Sequence, residues 1–223
     1  MLEVVGQQAA GSIDQLFINW STLSAWQLNG TPALILVFNA ALLVVPYLLM
    51  VALAKLWRYN RWHGWSGKLS AAVLWLLWLL FFPNAAYLIM DVRHLSGLCP
   101  ANAYVVCPAI WQVLIFFLVG LVGYLAFVVL LAQAQAVAKR AWGSWLAHIL
   151  LLLYVPIMSL GVLLGLFERF SSWQALMFPR TVWQSALAYS SGWRLTLWLT
   201  FSAEFIILYY FGLAVGHWLK KKL

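Results

Sequence analysis

The chain has 223 residues, of which 65% are hydrophobic and only 8% charged, with a formal net charge of +8. Soluble domains carry roughly a quarter charged residues, so this composition argues against a soluble enzyme or a nucleic-acid-binding domain. It points to one all-α domain, residues 1–223, built as a polytopic helical membrane bundle. The apolar runs are continuous rather than alternating in ~10-residue segments, which disfavours a transmembrane β-barrel.

No basic n-region and no apolar h-region precede residue 32, so no cleavable signal peptide is expected. Ser12-Ile13-Asp14-Gln15 resembles a capping box, and Ile13, Leu16, Phe17, Trp20 and Leu23 then share one helical face. Residues 1–31 therefore read as an outer segment holding a short amphipathic helix on the leaflet surface. Five apolar runs follow, near 32–54, 69–90, 110–134, 146–167 and 195–218. A hydrocarbon core of ~30 Å takes about 20 helical residues, so each run can span it.

Nine of the thirteen Lys and Arg fall in three connectors: Lys55, Arg58, Arg61 and Lys68; Lys139 and Arg140; Lys220, Lys221 and Lys222. The positive-inside rule makes all three cytoplasmic, with the N-terminus outside and the C-terminus inside. Trp57, Trp62, Trp65, Trp142, Trp145 and Trp218 then mark the inner interface, and Trp111, Trp173, Trp183, Trp193 and Trp198 the outer one. The first outer loop holds both cysteines, Cys99 and Cys107, for which an oxidising compartment predicts a disulfide. The second, from Glu168 to about Gly192, contains Trp173, Met177, Phe178 and Trp183. It is expected to pack on the membrane surface, with Pro179 opening a short helix.

The second run ends in FFPNAAYLIMDVRHL, Phe81 to Leu95. Asn84, Tyr87, Asp91 and His94 recur at i, i+3, i+7 and i+10. At 100° per residue they share an arc of about 80°, if the helix continues past Pro83. Pro83 removes a backbone hydrogen bond and is expected to kink the helix; Asn84 either serves the freed carbonyl or lines a site. Glu204 lies about nine residues into the last run, roughly 13 Å deep at 1.5 Å per residue, in a stripe with Thr196 and Thr200. A carboxyl at that depth is costly when lipid-facing, so Glu204 is expected to face the bundle. There it pairs structurally with Arg169, Arg194 or His94, or takes part in a functional site. Gly161–Gly165 and Gly212–Gly216 are both GxxxG spacings that let helix backbones approach. His63, His148 and His217 read as interfacial residues without chemistry.

No GxSxG, HExxH, P-loop or dinucleotide-binding glycine pattern occurs. Asp91, His94, Glu168 and Glu204 could together hold a divalent metal, as carboxylates and a His from separate helices do in bundles. They could equally provide an acid/base pair or an Arg-lined pocket for an anionic headgroup.

On these residues the chain resembles an uncharacterised family of bacterial integral membrane proteins, a domain of unknown function. Its pattern is close to LPNAPYIxTDxxHL, matched by Pro83, Asn84, Ala85, Tyr87, Asp91, His94 and Leu95. A second pattern, GRFxRWNSWD, is matched by Gly165, Phe167, Arg169, Ser172 and Trp173. Leu166, Ser171 and Gln174 depart from its Arg, Asn and Asp. The resemblance spans roughly residues 35 to 215 and implies that the two segments form one site in a bacterial cytoplasmic membrane, without supplying an activity.

The expected architecture is thus five transmembrane helices with a polar pocket opening outward. Asn84, Tyr87, Asp91 and His94 form one wall, and Glu168, Arg169 and Glu204 the other. The expected function is binding of a polar or anionic ligand, a lipid headgroup or a lipid-linked precursor. The first rival is a membrane-embedded transferase or hydrolase, with His94 as general base, Asp91 orienting it and Arg169 stabilising negative charge. The second is a structural subunit of a complex with other membrane proteins. A secondary transporter is disfavoured, because five spans do not divide into two repeats.

Overall fold

The structure is a computed structural model. It describes residues 27–28, 31–58, 64–95, 110–170 and 174–222, and in 27–28, 31–35, 58, 94–95 and 110 the backbone alone. The amphipathic helix expected within 1–31 and the Cys99–Cys107 pair lie outside the described residues.

Five helical segments are long and apolar enough to cross a membrane: Leu36–Trp57, Trp65–Arg93, Trp111–Trp142, Ser144–Phe167 and Gly192–Lys222. They overlie the five runs expected from hydropathy. A two-residue antiparallel pairing, β1 (Gln27–Leu28) with β2 (Thr31–Pro32), precedes them.

The first span is α1 (Ala33–Ala41) followed by α2 (Val44–Arg58). The break between them has a local cause. Pro46 has no N–H for the Leu42 carbonyl, which accepts from Val45 N instead, at 3.2 Å. A proline near a helix start both omits that bond and crowds the carbonyl four residues back. The second span repeats the device. Helix α3 (Trp65–Phe81) passes through Phe82 into α4 (Pro83–Met90), and the chain then tightens into a 3₁₀ turn, Asp91–Leu95. The kink expected at Pro83 is present: Phe82 N still reaches Trp78 O at 2.8 Å, but Ala85 N turns back only as far as Phe82 O.

The third and fourth spans, α5 (Ile110–Trp142) and α6 (Ser144–Phe167), reverse around one residue, Gly143. Its φ of +88° suits glycine, which has no β-carbon to clash there. Two short helices follow, α7 (Gln174–Met177) and α8 (Pro179–Leu187), with Pro179 in the first turn of α8 as expected. Phe178, Trp183 and Leu187 are exposed beside Arg180, the amphipathic pattern of a segment lying along a membrane surface. After a 3₁₀ turn at Ala188–Ser190, α9 (Gly192–Lys222) forms the fifth span.

The core is an aromatic row across the bundle. Trp78 stacks on Phe82 at 4.4 Å, Phe82 on Phe127 at 5.8 Å, and Phe127 meets Phe205 at 5.6 Å. The row joins the α3–α4 bend to α5 and α9. A second tie is polar. Buried Ser159 and Ser202 lie 2.7 Å apart between α6 and α9, and Trp198 Nε1 donates to the Pro156 carbonyl at 2.8 Å. Without a hydrophobic drive between helices in lipid, such hydrogen bonds and close packing hold spans together.

Candidate functional site

Helix α4 is short, kinked at its start, and gripped by glycines on two sides. A β-carbon at Gly123 of α5 would sit 2.6 Å from Leu88 Cβ and 2.9 Å from the Ala85 carbonyl oxygen. At Gly120 it would meet Val92 at 2.9 Å. On α6, Gly161 would place one 2.9 Å from Pro83, and Gly165 one 3.4 Å from two carbons of the Tyr87 ring. The expected GxxxG of α6 is therefore in use, with α4 as its partner. The second GxxxG is half in use: Gly212 packs on Val128 and Tyr124, while Gly216 has nothing within 4 Å.

These contacts set α4 and α6 side by side and bring Gly165 against Tyr87. The two segments singled out in the sequence thus meet at one end of the bundle. Arg93 donates from Nη2 to the Tyr87 hydroxyl at 3.2 Å, with its guanidinium 5.8 Å from the ring centroid.

Two polar atoms on this helix stand out. Asp91 is 3% exposed, and its Oδ2 has no hydrogen-bond partner; neither does the buried Nδ2 of Asn84. They are two of four such atoms among the described residues, the others belonging to Trp78 and Gln133. Asn84 therefore does not serve the carbonyl freed by Pro83, which removes its bland explanation. An unmatched donor and an unmatched acceptor, seven residues apart, lie on the same face of α4. Buried polar groups are normally satisfied, and such atoms are completed by water or by a ligand.

The second wall differs from expectation. Glu168 pairs with Arg194 at 3.3 Å, tying the end of α6 to the start of α9. Arg194 also lies 5.4 Å from the Tyr189 ring centroid and 5.7 Å from that of Trp193. Tyr189 packs on Leu163 and Leu164, and burial pushes its phenol above the ordinary range; Glu168 adds to this and Arg194 opposes it. Arg169 is exposed and holds a left-handed backbone, φ 57°, where Phe170 N closes back onto Leu164 O. Glycine is the usual residue at such a helix terminus.

Glu204 is a correction. It does not face the bundle but lies exposed on the outside of α9. The reason is rotational: Ser202, Phe205 and Tyr209 turn inward to meet Ser159 and Phe127, which directs residue 204 away. Of its three candidate partners, Arg194 is taken by Glu168. Among the described residues no three His, Cys, Asp or Glu side chains gather as a metal site would need. Asp91, Glu168 and Glu204 are not brought together, and the side chain of His94 lies outside the described residues.

A groove among Trp65, Lys68, Leu69 and Ala72 opens at the opposite, basic end of the bundle. Sequence reasoning missed several contributors. Gly120 and Gly123 carry no GxxxG signature. Ser159 and Ser202 sit singly among apolar residues, and neither Tyr189 nor Arg93 belongs to a motif of its own.

A family model described as "Protein of unknown function (DUF1361)" matches residues 38–210. No curated protein and no solved structure matches the chain.

Proposed function

We propose that this chain, which belongs to the DUF1361 family, binds the headgroup of an anionic, hydroxyl-bearing lipid or lipid-linked precursor at the Asp91 end of its bundle. One observation carries the reading: the buried, unmatched Asp91 Oδ2 and Asn84 Nδ2 on one face of α4. Two helical turns, about 10 Å at 1.5 Å per residue, separate the two residues, so a headgroup with more than one hydroxyl completes both, one hydroxyl accepting from Asn84 and another donating to Asp91. The surroundings suit an anion. The described residues at this end include Arg93, Arg169, Arg180 and Arg194, against Asp91 and Glu168. Arginine is the preferred side chain for phosphate. The exposed aromatic face of α8 gives the same end a seat in the interface.

The same reading orients the chain in a bacterial cytoplasmic membrane. Lys55, Arg58, Lys68, Lys139, Arg140 and Lys220 to Lys222 all lie toward the other end, which the positive-inside rule assigns to the cytoplasm. Single cysteines in place of Ser66 and Ser191 test this with an impermeant thiol reagent in whole cells, in a background lacking Cys99 and Cys107. Labelling at 191 and not at 66 is expected; the reverse puts the site inside.

The binding test is thermal unfolding of purified protein in detergent with added phosphatidylglycerol or phosphatidylcholine. A ligand that binds only the folded state raises Tm by mass action. Phosphatidylglycerol should raise it more than phosphatidylcholine does, and Asp91→Asn and Asn84→Leu should erase the difference. Equal gains from both lipids, or an undiminished difference in both variants, defeat the proposal.

A further inference from the structure

Helix α9 is the least enclosed of the five spans: 17% of its most apolar window is buried, against 22–39% for the others. Its rotation is fixed by Ser202, Phe205 and Tyr209, which face inward. The opposite face presents Thr196, Thr200, Ala203, Glu204, Ile207 and Phe211, all exposed. Glu204 lies twelve residues beyond Gly192, about 18 Å along the axis at 1.5 Å per residue. It is thus deep within the span, flanked by apolar side chains.

Ionisable groups within a span usually face the bundle interior or a cavity and pair there. This one does neither. Among the described residues no cation meets it. On α9 the nearest in sequence are Arg194 and Lys220, ten and sixteen residues away, or about 15 Å and 24 Å along the helix. Among the described residues every other Lys and Arg lies within a few residues of a helix end. A second copy in the same membrane orientation would present its cations at those same depths, so it does not supply one either.

We propose that the Thr196–Glu204 face of α9 is a docking surface for a transmembrane helix of another protein that carries a Lys or Arg at matching depth. Charge complementarity selects the partner. The small side chains of Thr196, Thr200 and Ala203 permit the close approach that helix pairing in lipid requires. The Thr200 hydroxyl donates to the Thr196 carbonyl at 2.9 Å, which keeps that side chain folded against its own helix. This surface is separate from the Asp91 site and does not depend on it.

The test uses a synthetic Leu-rich transmembrane peptide with one central Lys, beside an all-Leu peptide and one with a central Glu. The full chain, with a fluorescent protein fused after Leu223, is reconstituted into liposomes with acceptor-labelled peptide, and energy transfer is read. The Lys peptide should give transfer several-fold above the all-Leu peptide, and Glu204→Gln should bring it down to the all-Leu level. Ala203→Leu, which keeps the carboxyl but blocks approach, should reduce transfer as well. Both variants should keep the wild-type Tm in detergent, since both side chains are exposed. Equal transfer from Lys and all-Leu peptides overturns the proposal. So does transfer from the Glu peptide equal to that from the Lys peptide, which would indicate carboxyl–hydroxyl pairing of the kind a second copy could provide.

Discussion

Helices α4 and α9 each carry a carboxyl in or at the end of an apolar span, and they house it in opposite ways. Asp91 at the end of α4 is 3% exposed, behind close helix contacts made possible by Gly120, Gly123, Gly161 and Gly165. Glu204 on α9 stands on the outside, because that helix meets the bundle through side chains on one face only. The difference lies in what each neighbour lacks. A helix flanked by glycines on two sides sinks between its neighbours and can enclose polar atoms. A helix docked through serines and aromatics stays peripheral and leaves its far side to lipid or to another chain. The first arrangement suits a site for a small polar group and the second an assembly surface.

The most disruptive way to break this contrast is to fill the α4 slot. Gly123→Leu places its first carbon 2.6 Å from Leu88 Cβ and 2.9 Å from a backbone oxygen, so α4 itself must move. Overpacking typically costs about 1–3 kcal/mol, and a clash with backbone belongs at or above the top of that range. Thermal unfolding in detergent should show a clear loss of Tm or no folded protein. Gly216→Ala on α9, with nothing within 4 Å, is the control. Alanine gains about 0.8–1 kcal/mol over glycine in a helix interior, so Tm should hold or rise. Equal losses in the two variants would mean that the slot has no special role.

A smaller effect is expected where α9 docks. Ser202→Ala removes the 2.7 Å contact with Ser159 and leaves that buried hydroxyl with its own-helix bond to the Pro156 carbonyl. Hydrogen bonds between membrane helices average about 0.6 kcal/mol and reach about 1.7. A loss in that range is expected, and the double variant with Ser159→Ala should cost less than the sum of the two singles. Strict additivity would show that the two hydroxyls act independently.

Much of this organisation is written in the sequence. Hydropathy reveals the five spans because each needs a long apolar run. Pro83 and Pro179 mark a kink and a helix start because a missing N–H has the same consequence in any context. The facing of α9 is not legible in the same way. In lipid the inward and outward sides of a helix are both apolar, so composition gives no stripe to orient it. The stripe of Thr196, Thr200 and Glu204 suggests an inward face, because carboxyls in spans usually face inward. The deciding signal was Ser202, two residues earlier, whose partner Ser159 lies 43 positions away in the chain. The joining of the two segments depends on Gly165 meeting Tyr87, a pairing visible only once α4 and α6 are set side by side.

The smallest effect expected is also the one that best separates stability from function beside the α4 slot. Arg169 follows α6, four residues after the Gly165 that touches Tyr87, and holds φ 57° without being glycine. A left-handed conformation costs an L-residue about 1–2 kcal/mol. Glycine relieves that strain but brings about 0.4–1 kcal/mol of extra disorder in the unfolded chain. Arg169 is exposed, so little packing is lost with it. Arg169→Gly should therefore leave stability unchanged or raise it by about 1 kcal/mol. If the strain is held for the sake of the guanidinium, the same variant should weaken the preference for phosphatidylglycerol. Arg169→Lys keeps the charge and the strain but loses the planar fork that grips phosphate, and should fall between the two. A lower Tm in Arg169→Gly would assign the residue to the fold, and a full lipid preference in that variant would remove it from the site.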